Sequence, residues 1–235
     1  MKGGQKSRRL PDLMSLFGQR IVRSAERKGS VAVEPPQAGA ASAAPVFRSQ
    51  TLQKFLAVVC SKPAAEFVDL GPVVGSNITF LGERVGCKIH VEDLYADLDR
   101  HVREGVVDQF PEFLAGRFAL ADESIDAVLC WDLFDYLDPA AADVLAMELM
   151  RMLRPGGALL AFFGDIGPRD QGYIKYVIED EEHLRYRFYA AASSRQRVLQ
   201  NRDIIKLFNA LRVFDSVLLK SGVREMLFRK PTRLP

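Results

Sequence analysis

Between Glu66 and Phe163 the chain alternates short apolar runs with longer amphipathic stretches, and this alternation limits the fold more than any other feature. A short apolar run bounded by turn residues reads as a buried strand, and recurrence every three or four residues reads as helix. Glu66–Gly71 is a strand ending at glycine, followed by a helix over Ser76–Val85 with Ser76 or Asn77 near its start and Gly86 past its end. Lys88–Val91 and Ile125–Trp131 are further strands. Pro139–Leu153 is a helix, with Asp138 as its cap and Pro139 in its first turn. After the turn Arg154–Gly157, the wholly apolar Ala158–Phe163 suits the centre of a parallel sheet. Strands joined through helices pair in parallel with right-handed crossovers, so the expected class is α/β with a doubly wound sheet. Such sheets bind ligands at the carboxyl ends of their strands.

The flanks add to this frame. Leu52, Phe55, Leu56 and Val59 have helical spacing, closed by Pro63. Tyr173–Glu179 and Leu184–Tyr189 read as an extra hairpin, and Asp203–Leu211 as a short helix. Val213–Leu219 and Arg224–Phe228 are joined too briefly for anything but antiparallel pairing. Residues 31–46 are rich in Ala, Pro and Ser and lack periodicity, which marks a linker. Residues 1–48 are therefore expected to be a basic, flexible N-terminal segment with a short amphipathic stretch over Leu13–Val22, and residues 49–235 the domain.

Charge divides the chain in three. Residues 1–30 carry eight basic and two acidic side chains, residues 31–182 twelve and twenty-five, and residues 183–235 twelve and three. Basic ends could attract a polyanion, but no nucleic-acid-binding motif accompanies them, and pairing with the acidic middle or with solvent accounts for them. No apolar run reaches the roughly 18 residues that span a bilayer, and no apolar segment follows the basic start as in a signal peptide, so the expected location is cytoplasmic. Cys60, Cys87 and Cys130 fit neither a metal pattern nor a disulfide framework and read as buried free thiols. His90, His101 and His183 are scattered, so no metal site is expected.

The segment carrying chemistry is Phe67–Asn77, FVDLGPVVGSN. A strand runs into a glycine-containing loop that opens a helix, an arrangement that receives a nucleotide-like ligand. Asp69 stands before the first glycine, and the dinucleotide pattern GxGxxG is absent. A carboxylate there repels a pyrophosphate and suits an ammonium group. An NAD(P) oxidoreductase is disfavoured on the same grounds.

This segment resembles motif I of the class I S-adenosylmethionine-dependent methyltransferases, an acid-x-Gly-x-Gly-x-Gly pattern matched by Asp69, Gly71 and Gly75, with Val73 in place of the middle glycine. Other parts follow in family order. Glu92-Asp93 stands where the family places the acid that binds the ribose hydroxyls, Asp93 being the first choice. Ser124–Asp132 resembles the fourth-strand motif, and Leu149–Leu160 the helix, turn and fifth strand. The resemblance covers residues 49–230 and implies a seven-stranded sheet of order 3-2-1-4-5-7-6 with an antiparallel last strand. The third strand is poorly defined, Val106–Asp108 and Arg117–Leu120 being its weak candidates. It implies S-adenosylmethionine as cofactor, bound by Asp69, Leu70, Gly71, Gly75, Glu92, Asp93, Cys130 and Trp131.

Phe118 and Trp131 are candidates for stacking on adenine, though Phe118 reads at least as well as an ordinary core aromatic. Asp132 and Asp135 stand where a base for acceptor deprotonation would sit, though Asp135 reads better as a solvated acid at a helix start. Trp131, Phe134, Tyr136, Tyr173 and Tyr189 suit either an acceptor pocket or the core. Two readings of function follow. The first is a methyltransferase, with a small-molecule acceptor favoured. The second is a non-catalytic member that kept the fold as an interaction or regulatory module, for which Val73 and the missing third-strand acid speak.

Overall fold

The computed structural model describes residues 46–164 and 171–232. The basic stretch and the amphipathic Leu13–Val22 lie outside the described residues, as does most of the linker. Val46–Arg48, assigned by sequence to the N-terminal segment, form strand β1.

The elements then run α1 (Leu52–Cys60), β2 (Glu66–Asp69), α2 (Gly75–Val85), β3 (Lys88–Val91), α3 (Leu94–Glu104), α4 (Phe110–Ala115), β4 (Ile125–Trp131), α5 (Pro139–Met152) and β5 (Leu153–Gly164). They finish with β6 (Tyr173–Ile178), β7 (His183–Tyr189), α6 (Asn201–Leu207), β8 (Arg212–Leu218) and β9 (Val223–Arg229). The main sheet has six strands in the order β3-β2-β4-β5-β9-β8. β2, β3, β4 and β5 pair in parallel, and β9 is antiparallel to both of its neighbours.

Seven strands were expected, and the missing one is the third. Between Leu94 and Leu120 the chain forms α3, a short 3-10 turn at Val107–Gln109 and α4 instead. The physical reason is local. Leu94, Leu98 and Val102 share a helix face, Asp93 caps the start through the Ala96 N–H, and Gly105 ends α3 at φ +70°. Pro111 then sits in the first turn of α4.

Two apolar layers cover the sheet. On one face, α3, α4, α5 and α6 bury Leu98, Leu114, Leu145 and Ile204 against Val128, Cys130, Leu159 and Phe228. On the other, Phe55, Leu56 and Val59 of α1 and Leu81 of α2 pack on Phe67, Leu129 and Leu160. A second sheet, β1-β7-β6, lies on this face and contributes Tyr176, Ile178 and Leu184. The expected hairpin is its core, with β1 added antiparallel to β7. Asn77 joins this sheet to α2: its Nδ2 donates to the Tyr176 carbonyl at 2.9 Å, and its Oδ1 accepts from the Ile178 N–H at 2.8 Å. The side chain thus acts as a strip of strand on the edge of β6, not as a helix cap.

At the far edge of the main sheet, β8 exposes Val213, Phe214 and Leu218. A cleft of about 610 Å3 opens there between α1 and β8–β9, lined by Lys54, Val58, Phe214 and Arg229 among others. The three cysteines are free, Cys130 buried and Cys60 exposed, so the expectation of a buried thiol fails at Cys60. Among the described residues no helix is long and apolar enough to cross a membrane.

Candidate functional site

The carboxyl ends of β2, β3 and β4 bring Asp69, Asp93 and Trp131 to one end of the sheet. Asp69 is buried, and one of its oxygens accepts from the Gly71 N–H at 2.9 Å and from the Trp131 indole Nε1 at 2.7 Å. Burial pushes its carboxyl up to about 6; the two donors pull against this, and the neighbouring Asp93 adds to it. Leu70 is buried and continues the backbone ladder by donating to the Leu129 carbonyl at 3.0 Å.

Trp131 has an unusual backbone. A bulge sets Leu129 and Trp131 opposite Leu160 and Ala161, and Trp131 has φ +52°. Bulges re-aim side chains, and a bulky residue in the left-handed region costs roughly 1–3 kcal/mol. The result is that the indole, 2% exposed, lies against Gly71, where a Cβ would overlap its Cδ1 and Nε1. Its ring stacks on Tyr176 at 5.1 Å between centroids and 2° between planes, with Phe162 edge-on at 5.9 Å. Cys130, its neighbour, faces the opposite apolar layer.

The two acids after β3 have separate partners. Glu92 is buried in an ion pair with Arg117 at 2.6 Å, and the same guanidinium binds Asp97 at 3.0 Å. Asp93 caps α3 through Ala96 at 3.1 Å, with the backbone N–H of Val73 nearby. Burial raises its pKa, and these two donors and the nearby Lys175 oppose the rise. Asp93 therefore links the loop after β2 to the end of β3. The side chain of Val73 points outward, 57% exposed, and a Cβ at Gly75 would meet nothing. Phe118 is buried with the α3–α6 layer, away from Trp131.

Beyond β4, Asp132 accepts from Tyr95 Oη at 2.6 Å and pairs with Arg195 at 2.6 Å. Asp135 is fully buried, not a solvated acid. It accepts from the Gly164 N–H at 2.8 Å and shares Arg195 at 3.2 Å, while its Oδ1 has no partner. With one guanidinium between two carboxyls, and Asp132 taking the shorter contact, burial pushes Asp135 up to about 8. Phe134 is core, packed on Phe208, and Tyr136 lies under Arg195. Tyr173 lies between Tyr95 and Tyr189.

Sequence reasoning missed Tyr176, Tyr95 and Arg195. The alternation Ile174, Tyr176, Ile178 was a usable signal for Tyr176. Arg195 sits in an aperiodic stretch that gives none. Among the described residues no group of three or more His, Cys, Asp or Glu could hold a metal ion.

Residues 68–161, from the middle of β2 to the middle of β5, match the family model described as "Methyltransferase domain". The match covers less than half of the chain. Solved structures similar to it include a 1,6-didemethyltoxoflavin-N1-methyltransferase from Burkholderia thailandensis with bound 1,6-didemethyltoxoflavin and S-adenosylhomocysteine (18% identity, 77% of each chain, TM-score 0.46). Others are the PH0226 protein from Pyrococcus horikoshii OT3 (17% identity, 77% of this chain and 89% of that one, TM-score 0.46) and the glycopeptide N-methyltransferase MtfA complexed with S-adenosyl-L-methionine (14% identity, 76% and 92%, TM-score 0.42). No curated protein matches the chain in sequence. Within the matched stretch lie Asp69, Glu92, Asp93, Trp131, Asp132 and Asp135, whereas Tyr176 and Arg195 fall beyond its end.

Proposed function

We propose that this chain binds S-adenosylmethionine where Asp69 and Asp93 flank the loop Gly71–Gly75, and transfers its methyl group to an acceptor. The observation carrying this reading is the pair of carboxylates at the carboxyl ends of two adjacent parallel strands, on either side of a loop that opens a helix. Asp93 offers two acceptor oxygens to a vicinal diol, and its bond from the Ala96 N–H fixes its direction. Asp69 is a counter-charge for an ammonium group, and the open space at Gly75 leaves room for a ligand. Glu92 is held by Arg117 and has no part in the diol site. Over Gly71 the fit is incomplete, because the Trp131 indole fills that space.

The cofactor supplies a methyl group activated on a sulfonium; the protein binds, orients and excludes water. Around the acceptor side, residues 192–197 form a strap. Ala192 and Ser193 donate to Asp99, Arg195 pairs with Asp132 and Asp135, and the Gln196 N–H donates to the Asp135 carbonyl. A strap pinned at three acids, with Tyr136 beneath Arg195, supports a covered acceptor site and hence a small molecule. Asp132 and Asp135 then position the strap; neither is proposed as the base. Free thiols with Cys60 exposed support a reducing, cytoplasmic setting.

One observation favours the second reading, a non-catalytic member. It is the Trp131–Gly71 contact. Calorimetry with S-adenosylmethionine and S-adenosylhomocysteine separates the two. Binding that Asp93→Asn weakens at least tenfold, the variant keeping a helix-capping side chain, supports the methyltransferase; absence of binding up to millimolar concentrations overturns it.

A further inference from the structure

The indole of Trp131 competes for the groups assigned above to the cofactor. Its Nε1 donates to the Asp69 oxygen that would face an ammonium group, and its edge lies where the glycine loop would admit a ligand. It is held by the Tyr176 stack and the edge of Phe162, and α2 fixes Tyr176 in turn through the Asn77 side chain. Against these contacts stands a backbone at φ +52° in a bulge, a conformation a bulky residue leaves readily once its contacts are lost. A flat ring on a strained hinge, bonded to the carboxylate at the strand end, is an internal occupant of the site.

We infer that Trp131 is a plug: S-adenosylmethionine binds only as the indole leaves the space beside Gly71 and Tyr176. This rests on the cofactor reading above. It makes the affinity of the chain a property of Trp131, because part of the binding energy goes into displacing it. It also accounts for a methyltransferase domain in which the acid pair is intact while the glycine face is covered.

Trp131 is the single tryptophan of the chain, so its emission reports its own position. S-adenosylhomocysteine is titrated into the wild-type chain while emission and acrylamide quenching are followed. A shift to longer wavelength with increased quenching, saturating with the calorimetric binding curve, is the expected result. Trp131→Gly suits the positive φ and empties the space, and it is expected to bind S-adenosylhomocysteine at least tenfold more tightly than the wild type. Trp131→Asn, which also tolerates that backbone, serves if the glycine variant fails to fold. Gly71→Ala, read without ligand, is expected to move the emission in the same direction by forcing the indole out. If the wild type binds with unchanged emission and quenching and the variants are no tighter, the plug is overturned and the cofactor site stands. If neither the wild type nor the variants bind, both are overturned.

Discussion

Glu225 on β9 secures the start of α1 through Thr51: one carboxylate oxygen accepts from the Thr51 N–H at 3.0 Å, from Thr51 Oγ1 at 2.9 Å and from the Gln50 N–H at 2.9 Å. Both residues are fully buried. Helix α1 has no acid in its first turn and no side-chain cap from Thr51, so the strand supplies the negative charge that a helix start attracts. Glu225→Ala leaves three donors unmet and is expected to lower stability by about 3 kcal/mol. Glu225→Gln keeps an acceptor and is expected to cost less. Urea unfolding of the two variants measures the difference.

Asp69 makes stability depend on pH in a direction opposite to most surface acids. Its folded pKa, raised by burial to about 6, lies above the 3.8 of an unperturbed aspartate, so the folded chain holds a proton that the unfolded chain has released. This group therefore lowers stability as the pH rises from about 4 to about 6, by an amount on the order of 3 kcal/mol. Asp69→Asn is expected to remove that part of the slope, so that it gains on the wild type between pH 4 and pH 7 in urea midpoint. An unchanged difference across this range would count against a raised Asp69.

Arg195 pairs with Asp132 and also contacts the buried carboxyl of Asp135. Arg195→Met is expected to cost about 3 kcal/mol at pH 7, the usual scale for stranding buried charge. Thermal unfolding of wild type and variant at pH 7 tests this.

Asn77 satisfies both a carbonyl and an N–H on the edge of β6. Asn77→Ala strands both and is expected to cost about 2 kcal/mol. It should also loosen Tyr176, and with it the ring on which Trp131 rests, so the tryptophan emission is expected to move even without ligand.

What could be read in advance was what short-range pattern controls. Ile125–Trp131 and Ala158–Phe163 are apolar enough to declare buried parallel strands, and the four-residue gap after Leu219 imposes the antiparallel end. The third strand went wrong because the family resemblance asked for one, whereas Leu94, Leu98 and Val102 already had the spacing of a helix. Which of Glu92 and Asp93 remains available was decided by Arg117, well removed in sequence. Asp135 looked solvated because its neighbours give no hint of Gly164 and Arg195, which close over it from later segments. Trp131 was placed beside the Gly71–Gly75 loop, but not against Gly71, since a bulge depends on the register with β5 and leaves no mark in the residues of β4 alone.

The main sheet ends differently on its two sides, and this affects how the protein survives in concentrated solution. On one side it stops at β3, only Lys88–Val91, too short an edge to template another chain. On the other it stops at β8, a proline-free strand from Arg212 to Leu218 with Phe214 59% and Leu218 55% exposed. Long apolar edges are where sheets of separate molecules join. Under mild heating, aggregation is expected to start along β8. Phe214→Lys should raise the temperature at which light scattering first appears, while leaving the carboxyl ends of β2 and β3 untouched.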